Sequence, residues 1–220
     1  MPLVTARRSG LVDQVIEQIR TSVASGEWPV GRRIPNETVL VESLGVGRNT
    51  VREAVRALAH AGILEVRQGD GTYVRATSEV SGALRRLCGA EWRDVLQVRR
   101  ALEVEGARAA AARRTDDDLA ALRALLARRD NCRSADADEF ARADAEFHLA
   151  VVRSSHNATL TELYRGLMEA ITASVATGHE AAVHVVDHGV LIDHIAAGDG
   201  EQAARTAAAI IDAVLVDVPC

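Results

Sequence analysis

Two sets of side chains in this 220-residue chain have types and spacings that can do chemistry. In the first, Arg48, Arg52 and Arg56 recur every four residues, in a stripe rotated away from the apolar one of Val51, Val55 and Leu58. Asn49 and Thr50 lie in the first turn of the same helix, where a recognition helix points residues at base edges. Arginine bonds O6 and N7 of guanine bidentately, asparagine does the same for adenine, and phosphates take the remaining arginines. In the second set, Asp144 and His148 stand one turn apart on a helical face shared with Phe140, Phe147 and Val151. His184 and His188 repeat the oddity on a face with Leu191 and Ile195. A carboxylate on a buried face is costly unless paired or bound to a metal, and two ligands one turn apart form a pincer for a divalent ion. Each set also has a plainer reading. Charged stripes are often solvated helix faces, and core histidines can be satisfied locally while an aspartate pairs with an arginine.

The elements that must position the arginines sharpen the choice. A helix from about Leu11 to Ala24, with Leu11, Val15 and Ile19 as its buried face, ends at Ser25-Gly26. A short helix then stops at the Leu44-Gly45-Val46 turn, and the arginine-bearing helix follows. Next come two β-rich runs, Ile63–Arg67 and Thr72–Arg75, around Gln68-Gly69-Asp70-Gly71, a hairpin signal. Helix, turn, helix and hairpin together outline a winged helix-turn-helix. Gln68 and Gly69 fall at the wing tip, where a missing side chain permits close approach to a minor groove.

The chain divides near Ala76-Thr77-Ser78, giving a DNA-binding domain over 1–76 and a second domain over 77–220. The expected class is mostly α, with a β-hairpin wing in the first domain and an all-α bundle in the second. Helical periodicity covers 92–114, 116–130, 136–154, 158–177, 180–197 and 200–216. A bundle of this size can enclose a ligand cavity. Arg99 shares a stripe with Val95 and Leu102 and faces that interior, where its planar fork suits a carboxylate. An internal salt bridge with Asp144 or Glu103 explains the same placement.

Composition agrees. All 26 basic residues are arginine, and the net charge of −5 is uneven: residues 1–76 carry ten arginines against eight acids, residues 77–220 sixteen against twenty-three. So modest a positive balance in the first part implies two copies on DNA. The three cysteines, Cys88, Cys132 and Cys220, lack CxxC spacing and fit a reducing compartment. There is no secretory segment and no run of 18 apolar residues, so the expected place is the cytoplasm, with no membrane partner.

The run PVGRRIPNETVLVESLGVGRNTVREAVRALAHAGILEVRQGDGTYV resembles the DNA-binding domain of GntR-type bacterial transcription regulators. The resemblance puts Arg48, Asn49, Thr50 and Arg52 in the major groove and Gln68 and Gly69 at the wing. Two positions depart from it. Gly47 stands where the family usually has a Ser or Thr that caps the helix and touches phosphate, and Thr38 replaces an arginine of some members.

VLQVRRALEVEGARAAA, DAEFHLAVVRSSHN and HGVLIDHIAAGD resemble the FCD-type ligand-binding domain of the FadR-like branch. In many members an aspartate and three histidines hold a divalent metal that helps bind a carboxylate effector; for this chain the candidate ions are zinc, nickel or manganese. Asp144, His148 and His188 match three of those positions, and Ile210 stands where the last histidine is expected. Three outcomes stay open: a three-ligand site completed by water or effector, substitution by His184, or loss of the metal. Arg99 matches an arginine used near the effector. Asn157 matches a position near the cavity, although its place before ATLTELY also suits an N-cap.

The resemblance therefore implies a ligand-responsive regulator, not an enzyme. It would bind a palindromic double-stranded operator as a homodimer, under control of a small carboxylate, with repression the commoner outcome. Two other classes fit parts of the chain: a metal-dependent hydrolase using the Asp/His cluster, and an interaction protein that has kept the fold but lost DNA binding.

Overall fold

The computed structural model describes residues 10–87, 92–132, 137–175 and 187–216, which fall into two compact units, 1–87 and 88–220. The first unit orders α1 (Leu11–Ala24), α2 (Glu37–Leu44), α3 (Arg48–His60), β1 (Leu64–Arg67), β2 (Gly71–Val74) and α4 (Glu79–Leu87). Val15, Ile19 and Val23 of α1 meet Leu40 of α2, Val51 and Leu58 of α3, and Leu64 and Val74 of the hairpin in one buried cluster. Truncating any of its larger side chains to Ala costs about 2–5 kcal/mol. Leu11 departs from the expected face. It is the first residue of α1, beyond the reach of that cluster, and stays exposed while Val23 takes the inward place.

Turn chemistry sets the frame. Asn36 caps α2 by accepting from Val39 N at 3.0 Å, and Gly45 ends it in a left-handed conformation, φ 65°, that favours glycine. The antiparallel hairpin pairs Leu64 with Val74 and Arg67 with Gly71. A third extended segment joins it: Ile34 N donates to Thr72 O and Val74 N to Arg32 O, both at 2.9 Å. Sequence pattern concealed this segment, since Arg32, Arg33 and Pro35 show no apolar alternation.

Helix α4 packs with the first unit, although the sequence division placed its residues in the second domain. Arg20 donates to Glu79 at 3.0 Å, and Arg85 donates to the Arg75 carbonyl at 2.9 Å. Gly82 lies against the α3–β1 turn so closely that a Cβ there would stand 2.8 Å from Ala61 O.

The second unit is all helical: α5 (Trp92–Arg113), α6 (Asp116–Asn131), α7 (Ala137–Arg153), α8 (Ala158–Val175), α9 (Gly189–Ala197) and α10 (Gly200–Val216). Ala107, Ala110, Phe147, Val151, Leu191, Ile195, Ala203 and Ile211 form its core, where small alanines let α5 and α10 approach closely. Thr115 and Asp118 form a reciprocal capping box at the start of α6. Arg114 binds the last carbonyls of α9 at Ile195 and Ala196, satisfying acceptors that a helix end leaves open.

Candidate nucleic-acid interface and candidate metal centre

Helix α3 is strongly two-faced. Val51, Ala54, Val55 and Leu58 are buried, whereas Arg48, Asn49, Arg52 and Arg56 are exposed and Thr50 is half-buried. The apolar stripe thus anchors the helix, and the polar stripe is left facing solvent. Arg52 is held by Glu37 of α2, Nε to Oε2 at 2.9 Å. Gly47 is the N-cap, with φ −71° and ψ 153° and no side-chain cap bond. At the wing, Asp70 N donates to Arg67 O at 3.1 Å, and Gly69 sits within that turn at φ 77°. Glycine at 69 is thus also a backbone requirement. Tyr73 donates to Asp70 at 2.9 Å, and the Arg67 guanidinium lies 4.2 Å from the Tyr73 ring centroid, bracing the tip. Gln68 and Gly69 are exposed and line a cleft of about 320 Å³ with Asn36 and Glu37 at the start of α2.

In the second unit the structure brings Asp144, His148 and His188 together, with one ligand atom from each within 4.8 Å of the others. Asp144 and His148 share α7, and His188 stands at the N-cap of α9. Both rings are buried, with Nε2 facing Nε2 at 3.3 Å, and His148 Nε2 is 3.7 Å from Asp144 Oδ2. Phe147 stacks edge-on against both rings, at 5.5 and 5.6 Å.

This donor set fits a divalent cation. Two nitrogens each about 2.0–2.1 Å from a tetrahedral zinc lie about 3.3–3.4 Å apart, close to the observed separation. Ile210 is buried in the apolar core with Phe147 and Leu191, so that position supplies no ligand. His184 lies outside the described residues.

Two residues that the spacing did not single out as site residues complete the centre. Arg129, almost fully buried, donates from Nε to Asp144 Oδ1 at 2.6 Å and lies over the Phe140 ring at 5.0 Å. Glu103, also buried, accepts from Arg99 Nε at 2.6 Å and from Tyr164 OH at 2.7 Å. Its other oxygen is 2.7 Å from His148 Nδ1, a contact that is short but not aligned as a hydrogen bond. Burial alone would raise the Glu103 carboxyl. The Arg99 guanidinium and the His148 ring more than offset this and hold it well below the usual carboxylate range. Asp144 follows the same logic: burial raises it, and His148 and Arg129 bring it down. Arg99 thus takes the salt bridge with Glu103 that its spacing allowed. Asn157 is exposed and caps α8, accepting from Leu160 N at 3.1 Å. Glu103 was legible only as the i+4 partner of Arg99. Nothing in local sequence marks Arg129, whose neighbours on α6 are charged.

A reading helix with an exposed arginine face, a braced wing and an all-helical unit with a buried polar centre define a ligand-binding transcription regulator. Residues 11–74 match the bacterial regulatory proteins of the gntR family, and residues 94–213 match the FCD domain. The chain belongs to the GntR family, in its FCD-bearing group. It is 30% identical to the "Putative L-lactate dehydrogenase operon regulatory protein" of Escherichia coli K12, over 92% of this chain and 83% of that one. It is 32% identical to the Glc operon transcriptional activator of the same organism, over 76% and 70%. Among solved structures, a Streptococcus agalactiae GntR protein covers 94% of this chain and is itself covered in full, with 29% identity and a TM-score of 0.50. These relatives are transcription regulators, not enzymes. Among the described residues no helix is long and apolar enough to cross a membrane.

Proposed function

We propose that two copies of this chain set their α3 helices on a two-fold-related operator, and that a small carboxylate bound in the second unit controls the fit. Arg48, Asn49, Thr50 and Arg52 read the major groove, with Gln68 and Gly69 at the minor groove. The protein then works in the cytoplasm, where its DNA lies.

The observation that carries the effector class is the charge balance around Asp144, His148 and His188. The two acids of the group, half-buried Asp144 and buried Glu103, are each already paired with an arginine, Arg129 and Arg99. A divalent ion held by Asp144, His148 and His188 would supply two further positive charges and a Lewis-acidic contact. With those acids already neutralised, an anion is the favoured companion. Glu103 engages Arg99 through Nε, which leaves the terminal amines of that guanidinium as the atoms proposed to meet a carboxylate. Effector binding that differs between two dimer arrangements would shift their populations, and with them operator affinity.

The test is an anisotropy titration on an operator selected from random duplexes. Arg48→Ala is expected to lose affinity by about 1–3 kcal/mol while helical content and dimer mass persist. Unchanged affinity would remove Arg48 from the interface. Titrating small carboxylates into the zinc-loaded complex then checks the effector class, with neutral isosteres as the comparison.

A further inference from the structure

We infer that Glu103 is a positioning residue for His148: it holds the ring as the Nδ1–H tautomer, so that the Nε2 lone pair points toward Asp144 and His188. The inference rests on the proposed metal site and adds to it a residue that is not itself a ligand. Glu103 sits behind His148, on the Nδ1 side, whereas the cluster forms at Nε2. Glu103 and His148 are both buried, which shields their contact from bulk solvent. A carboxylate on the far nitrogen of a ligating histidine fixes the tautomer and ring orientation and raises ligand basicity.

The surroundings of Glu103 suit this task. Oε1 is pinned by Arg99 of α5 and Tyr164 of α8, and Oε2 stands 2.7 Å from Nδ1 of His148 on α7, from where a small turn of the ring would align a hydrogen bond. One carboxylate therefore fixes a ring on α7 from two neighbouring helices. Without a partner at Nδ1, the ring could carry its proton on Nε2 instead and would then offer no lone pair to a metal.

The experiment uses the full chain and two readouts, the cobalt(II) dissociation constant by chelator competition and the His148 tautomer from imidazole nitrogen shifts. Glu103→Gln is expected to weaken cobalt binding about 10- to 100-fold at unchanged stoichiometry and to shift the ring toward the Nε2–H form. Glu103→Asp should recover part of the loss. Should Glu103→Gln fold poorly beside an unpaired Arg99, the double variant Arg99→Met/Glu103→Gln removes both charges and carries the same expectation. Wild-type affinity and tautomer in the folded Gln variant would overturn the inference and leave the metal site standing. A wild-type chain that binds no cobalt would overturn the metal site. The tautomer comparison, made without metal, would still decide the role of Glu103.

Discussion

His148 and His188 meet inside the second unit with their Nε2 atoms 3.3 Å apart, although forty residues separate them in sequence. Two imidazole nitrogens at that distance either share a proton or share a cation. Zinc at a hundred times its dissociation constant should stabilise the second unit by about 2.7 kcal/mol. Differential scanning calorimetry with zinc and with chelator checks this. His188→Ala is expected to abolish the shift, and a shift that survives would place the ion elsewhere.

Gly47 begins the reading helix without a side-chain cap, and a Cβ there meets nothing within 4 Å. Its φ of −71° is ordinary for any residue. Gly47→Ser should therefore cap α3, worth a few tenths of a kcal/mol (about 0.3) over glycine, and add a hydroxyl toward phosphate. Operator affinity should rise at low salt. An anisotropy titration showing no gain would mean that phosphate lies out of reach of this position.

Gly82 has the opposite surroundings. An added Cβ would meet Ala61 O at 2.8 Å and the Gly62 backbone at 2.9 Å, neither of which can swing aside. Gly82→Ala should destabilise the first unit by about 1–3 kcal/mol. Urea unfolding followed at Trp28 would measure it.

Asp118 links pH to the start of α6. Burial would raise its carboxyl, but bonds from Thr115 and His156 outweigh that and leave it lowered. A carboxyl depressed in the folded state stabilises above the ordinary aspartate value, and the contribution fades as pH falls through the folded one. Asp118→Asn should thus cost about 1 kcal/mol near neutrality, the scale of a lost cap, and almost nothing in acid. Chemical denaturation of the second unit at the two extremes tests the sign.

Much of this was readable in the chain. The stripe of Arg48, Arg52 and Arg56 against Val51, Val55 and Leu58 fixes which side of α3 is buried, because both repeats follow one helical period. Asp144 and His148 stood out because polar groups on an apolar stripe need a reason. Glu103 and Arg129 did not, since an acid four residues after an arginine, or an arginine among charges, normally marks a solvated surface. Only the tertiary arrival of Tyr164, His148 and Asp144 turns these into interior groups. Helix α4 was missed for a similar reason: Ser81, Gly82 and Ala83 are too small to announce a buried face.

The close seat of Gly82 on the α3–β1 turn has a practical corollary. The DNA-reading part closes on itself only after α4, so a portable reading head should be cut after Leu87, not after the wing. A fragment ending at Ala76 would strip a glycine-fitted surface, leave the Arg75 carbonyl without Arg85 and take Glu79 away from Arg20. Grafted onto an unrelated sensor, residues 10–87 should carry their own footing with them.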